Sequence, residues 1–354
     1  MNQYFGRGMS GCSSLVLLFT VLLSLSGFTL QAVAATKIKM SHFLPAKHGF
    51  QQDVLEPLAQ ELWEQAGVET EIYGAGSAFG KVNRQADQVR SGVIDIAIGL
   101  RGIPRGRFPA SSVVELPFVV KNADSGSKAL WQLYKEGDLG SEYKDFKVLA
   151  LYTHHGGLIH TRDKPVGVLT DLKGLRLRTP SAAISSMLES QGASPVGMPP
   201  SQIYENLQKG VIDGLVATWD LIGAVKANEL LKYHTDARAY TAAFYVVMNK
   251  KKYNSLPANV KAVLDGLTGD VMVAKFGDWW DKWDQRGYDE AKKRGNKIIS
   301  VTDDTRKGWK LAMQPMVEAY LEGLKKQGVD NPQELYEKAI SLVSKYESEE
   351  RAKK

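Results

Sequence analysis

The chain of 354 residues has one cysteine, Cys12, and six histidines. A single thiol closes no intramolecular disulfide. The sequence also has no Cys-x-x-Cys or His-Glu-x-x-His pattern, so no disulfide framework and no thiolate or zincin metal site is expected. Neither sign of charge dominates, with 45 Lys and Arg against 39 Asp and Glu. The densest basic clusters, Lys250-Lys251-Lys252 and Lys292-Lys293-Arg294, suit solvated turns and helix faces. No nucleic-acid-binding module accompanies them, so nucleic acid is not expected as a partner. Long apolar runs are scarce. The one from Leu15 to Leu30 is broken by serines, preceded by Arg7 and followed by Ala32-Val33-Ala34. It reads as a secretory signal peptide occupying residues 1–35, since a membrane span needs about 20 clean apolar residues. Cleavage removes Cys12 and Arg7, leaving 44 basic against 39 acidic side chains and no thiol. Such a mature chain suits an oxidising compartment, as expected for a secreted protein.

A dinucleotide fingerprint is missing as well. Gly74-Ala75-Gly76-Ser77-Ala78-Phe79-Gly80 is rich in glycine. However, Gly76 and Gly80 are one residue too far apart, and the loop follows the second strand with no ribose-binding acid downstream. A turn into the next helix is the better reading. No cofactor is expected.

What is present is a regular alternation of strand and helix signals, as in an α/β protein. Residues 37–43 alternate as a strand and lead into His42-Phe43-Leu44-Pro45. A helix is expected over 49–65, from the spacing of Phe50, Val54, Leu55, Leu58, Leu62 and Trp63, and a strand over 69–73. Residues 85–98 read as helix, glycine cap and strand, and so do residues 204–216. Both contain Gly-Val-Ile-Asp, at Gly92–Asp95 and Gly210–Asp213, which suggests two lobes of similar local architecture with a ligand site between them. Arg101 lies just past the first of these strands, in a Gly/Pro-rich loop. His154 and His155 follow a strand at 146–152, where the chain is expected to cross between lobes. Neighbouring residues of an extended chain point apart, so the two histidines are not expected to chelate one metal. The run 240–248 is expected to recross as a strand carrying Phe244. From Pro257 to about Arg294 the pattern is helical, roughly 55 Å if unbroken at Gly266, Gly269 or Gly277. Its tryptophans, Trp279, Trp280 and Trp283, read as packing.

The most informative stretch is 171–219. Asp171-Leu172-Lys173-Gly174 is a turn, Leu175 to Thr179 alternates apolar and basic residues, Pro180 ends the strand and Ser181 is placed to cap a helix over about 182–191. Arg178 thus sits at a strand end beside a helix N-terminus, where a fixed guanidinium and unpaired N–H groups suit a carboxylate. From chemistry alone, an interlobe salt bridge is the competing reading. Trp219 follows the strand 211–218, either facing the cleft or packed in the core.

This stretch resembles the solute-binding proteins of TRAP transporters (tripartite ATP-independent periplasmic transporters, DctP-like). The resemblance rests on Asp171 to Pro180, on Gly192-Ala193-Ser194-Pro195-Val196 and on Gln202 to Gly214, and extends more weakly over 85–118. It implies a two-lobed periplasmic-binding-protein fold of type II-like form, each lobe a β-sheet flanked by helices, with a long helix spanning both. It also implies that Arg178 pairs with a substrate carboxylate, and that the loaded protein is delivered to the membrane permease subunits of a TRAP transporter, without catalysis. The expected lobes are residues 36–155 with 244–282, and 156–243 with 283–354. The candidate ligand-binding residues are Arg178, Trp219, Phe244, Arg101, His154, Phe43 and Met198. The sialic-acid-binding branch carries Arg, Asn and Glu where Leu158, Ala217 and Leu100 align here, so a sugar acid of that kind is disfavoured. Trp219, Phe244 and Met198 suggest an apolar or aromatic tail beside the carboxylate. A binding protein serving a membrane sensor, or a secreted α/β enzyme acting on a small carboxylate, are the alternatives.

Overall fold

The computed structural model describes residues 36–353; the expected signal peptide lies outside them. The strands run, in chain order, β1 (Lys37–Ser41), β2 (Glu69–Tyr73), β3 (Ile96–Leu100), β4 (Phe146–Thr153), β5 (Leu158–Thr161), β6 (Arg176–Thr179), β7 (Ser194–Gly197), β8 (Gly214–Ala217), β9 (Tyr233–Asp236), β10 (Ala243–Asn249) and β11 (Lys297–Ser300). They form two sheets, in the orders β2-β1-β3-β10-β4 and β11-β9-β5-β8-β6-β7. Both are mixed. In the first, β1 is parallel to β2 and β3, while β10 is antiparallel to β3 and β4. In the second, β6 is parallel to β7 and β8, and β5 is antiparallel to β8 and β9. Helices flank each sheet, so every element of β3 and β8 is buried, as expected for strands covered on both faces.

The chain passes between the sheets at residues 154–157 and 237–242. These two crossings lie side by side. Gly157 N–H donates to the Tyr240 carbonyl at 2.7 Å, Ala242 N–H donates to His154 Nε2 at 2.9 Å, and the Thr241 hydroxyl donates to the His154 carbonyl at 2.8 Å. Gly157 permits the approach: a Cβ there would lie 2.3 Å from the Tyr240 ring.

The third connection is helical but not one long helix. Gly269, at φ +63°, interrupts the tract, leaving Ala258–Leu267, Asp270–Val273 and Phe276–Lys293. The last, at 18 residues, is about 27 Å long. It still serves both lobes, packing on Ala123–Lys135 beside the first sheet and on Trp219–Ala224 beside the second. The C-terminal helix Pro332–Lys353 packs on Ala123–Lys135 and on 110–115, beside the first sheet. The grouping of residues 283–354 with the second lobe therefore does not describe this helix. Its buried Leu335, Tyr336, Ala339 and Val343 join a large cluster that takes in the first sheet and also residues of β5, β6 and β8.

Four buried histidines are held uncharged. Burial brings His42, His154 and His234 down to about 4, and burial together with His234 takes His160 well below its usual range. In the unfolded chain these rings take up protons below about pH 6.5; in the folded chain they do not. Their stability contribution is therefore complete above that pH and is lost as pH falls toward 4. Asp284, raised by burial to about 7, and Glu142, also raised by burial, act in the opposite direction but are two groups against four. The melting temperature is expected to fall steadily between pH 7 and 4.5. Calorimetry at half-unit intervals checks this, and a flat profile would contradict it.

Candidate ligand-binding site

The two crossings, the end of β6 and the helix Phe276–Lys293 enclose a chamber between the sheets. Counted together with its mouth and the adjoining solvent, the space is about 540 Å³. Arg178 reaches it from β6 and is 1 % exposed. Among the described residues its one hydrogen bond runs from Nε to the Met198 carbonyl, at 3.0 Å, and no carboxylate pairs with it. Burial lowers its pKa from the usual arginine range to about 10, so the guanidinium remains charged at neutral pH but is poorly solvated. Such a cation is costly until an anion meets it.

Two further donors have no hydrogen-bond partner among the described residues. Tyr240 Oη and Trp280 Nε1 are buried without one, and both residues line the chamber. Burial raises the Tyr240 pKa, against the pull of Arg178, so its hydroxyl keeps its proton. The walls between these donors are aromatic. Tyr152 stacks on Phe244 at 4.9 Å and on Phe276 at 3.9 Å, and Trp280 meets Trp283 edge-on at 5.2 Å. Leu100 and Ala217 complete an apolar lining.

The structure treats the expected residues unequally. Arg178, Phe244, His154 and Phe43 line the chamber. His154 contributes its ring, because Nδ1 is engaged by the His155 carbonyl and Nε2 accepts from Ala242. Met198 does not line it; its carbonyl holds Arg178 in place. Arg101 is turned away. It is buried in the first lobe, forks onto Glu115 and donates from Nη1 to the Phe108 carbonyl at 3.1 Å. Glu115 supplies the charge that a strand-end arginine requires once buried, a partner 14 residues away that spacing did not reveal. Trp219 is a core residue. It packs on His160, His234 and Tyr288, because β8 ends at Ala217 and Trp219 opens a short helix capped by Thr218. Ser181 does cap its helix, but that helix end borders a neighbouring groove with Arg105 and Met198. Tyr240, Trp280 and Trp283 are additions. The tryptophans recur with Phe276 at helical spacing, which signals a buried stripe but not that part of it faces a cavity.

Sequence and structure comparisons give one answer. Residues 40–323 match the family described as bacterial extracellular solute-binding protein, family 7 (DctP). The chain belongs to this family. Its members are the binding proteins of TRAP transporters, which carry small organic acids to membrane permeases. The TsaT protein of Comamonas testosteroni, named an outer membrane transporter protein, is 26 % identical over 80 % of this chain and 84 % of its own length. A TRAP solute-binding protein from Rhodoferax ferrireducens T118, crystallised with copurified benzoate, superposes with TM-score 0.84 at 31 % identity, covering 89 % of this chain and 99 % of its own. A marine metagenome TRAP solute-binding protein specific for aromatic acid ligands, in complex with 3-hydroxybenzoate, gives 0.84 at 34 % identity over 88 % and 99 %. The two-lobed fold of this binding protein and its place in transport follow from these matches.

Proposed function

We propose that this TRAP binding protein captures an aromatic monocarboxylate in the periplasm, to which residues 1–35 direct it, and that it turns over no substrate. One observation carries the reading: a buried guanidinium without a carboxylate partner opens into a chamber walled by aromatic rings. Arg178 holds the carboxylate by parallel N–H···O bonds, the geometry in which guanidinium and carboxylate match best. Tyr240 Oη and Trp280 Nε1 supply further donors. Phe244, Phe43 and the ring of His154 cover the ligand ring, and Met198 fixes Arg178 through its carbonyl. The ligand touches residues of both crossings, so its presence favours the closed arrangement of the lobes. The aromatic acids bound by the two structural relatives are consistent with this reading.

Phe244→Ala tests the aromatic half of the reading separately from the charge. Losing one ring face against a bound ring costs roughly 1.5–3 kcal/mol, a tenfold to hundredfold rise in Kd. Calorimetric titration with benzoate is the measurement. An unchanged Kd would remove Phe244 from the site, and preferential binding of polyhydroxylated acids by the wild type would refute the aromatic reading.

A further inference from the structure

We propose that Asp220 restricts the chamber to singly charged anions; this deepens the aromatic-monocarboxylate reading and rests on it. Asp220 lies in the first turn of the helix Trp219–Ala224, on the second lobe. Its side chain lines the chamber that Arg178 enters and also the wider cleft outside. The Asp220 carboxylate reaches across the lobes to His48 Nε2, 2.6 Å away. His48 Nδ1 accepts the Phe50 N–H at 2.9 Å, so the proton of this ring is on Nε2 and the ring is neutral. Asp220 is therefore hydrogen-bonded but not neutralised. Among the described residues no Lys or Arg comes within ion-pair distance of it. Lys47, Lys226 and Arg286 border only the outer cleft. Asp220 N–H donates to Asp284 Oδ1 at 2.8 Å, so a second carboxyl group stands behind the first.

The chamber thus has one positive and one negative group, separated by apolar and aromatic surface. Both act electrostatically on His154, in opposite senses, and Asp220 also acts on Tyr152. An anion anchored on Arg178 extends its remaining body toward surfaces within that negative field. A neutral substituent meets no charge penalty there. A second carboxylate meets repulsion and loses its water, with no cation to offset either. Exclusion by a repulsive element is a common route to specificity. His48 gains from the same arrangement: its bond to Asp220 joins the lobes over the ligand without adding a positive charge that would recruit dianions.

The test compares isophthalate with its monoamide, 3-carbamoylbenzoate, which has the same shape and one charge fewer, with benzoate as reference. Calorimetric titrations at pH 7.5 use the wild type and Asp220→Asn, which retains an oxygen acceptor for His48. The wild type is expected to prefer the monoamide over isophthalate by roughly tenfold or more, and Asp220→Asn to reduce that ratio to about threefold or less. Equal binding of the two acids by the wild type overturns the proposal, as does an unchanged ratio in the variant. If benzoate binds and both larger acids fail in both proteins, size sets the limit and the proposal falls. If benzoate itself does not bind, the aromatic-acid reading fails and takes this proposal with it.

Discussion

Arg178→Met is expected to abolish carboxylate binding while raising the melting temperature of the ligand-free protein. The two effects have one cause. In the ligand-free chamber the guanidinium is 1 % exposed and has a single carbonyl partner. Burial pulls its pKa down to about 10, the mark of a charge whose desolvation is poorly repaid by the protein. A methionine of similar length removes that cost and fills the same channel. With ligand present the balance reverses, because the carboxylate is then buried without a counter-charge. Losing one partner of a buried pair costs about 3–5 kcal/mol, or a factor of roughly 10² to 10⁴ in Kd. Thermal melts with and without benzoate read both effects together. The expected pattern is a higher baseline midpoint and no ligand-dependent shift. A variant that binds within tenfold of wild type would show that Arg178 is not the anchor.

Glu115→Ala has the largest expected effect on stability. Arg101 and Glu115 are 4 % and 1 % exposed, so neither charge is screened by water. Glu115 Oε1 accepts both from Arg101 Nε, at 3.0 Å, and from Ala243 N–H, at 2.9 Å. One carboxylate thereby joins the end of β3 to the start of β10. Truncating it strands a buried guanidinium and leaves a backbone donor unpaired, a loss of about 3–5 kcal/mol. For a chain of this size that is roughly a 10 °C fall in melting temperature. The double replacement Arg101→Met with Glu115→Leu is expected to recover most of the loss, since an apolar pair no longer needs neutralising. Differential scanning calorimetry of the single and double variants decides the matter. A single variant as stable as wild type would mean that the pair is dispensable.

The legibility of this protein in its sequence divides along a physical line. Local rules placed most strands and the caps at Ser181 and Gly92, because alternation and capping depend on residues within a turn or two of each other. They also placed Arg178 at the end of β6 and Phe244 within β10. They did not place Arg101, whose direction is set by Glu115 from a separate helical segment. They did not separate Trp219 from Trp280. Both are buried, and only tertiary packing puts one among histidines in the second lobe and the other on the wall of the chamber. Tyr240 was hidden in a run that read as strand, whereas β10 begins at Ala243 and Tyr240 lies on the crossing. The helical tract read over 257–294 breaks at Gly269, one of the three glycines at which the pattern allowed a break.

The central claim is that a lone buried arginine in an aromatic chamber selects an aromatic monocarboxylate. Isothermal titration of the mature chain, residues 36–354, with benzoate and with succinate at pH 7.5 tests it most directly. Saturable one-to-one binding of benzoate, with succinate much weaker, is the predicted result. Tight binding of succinate with no heat from benzoate would contradict it.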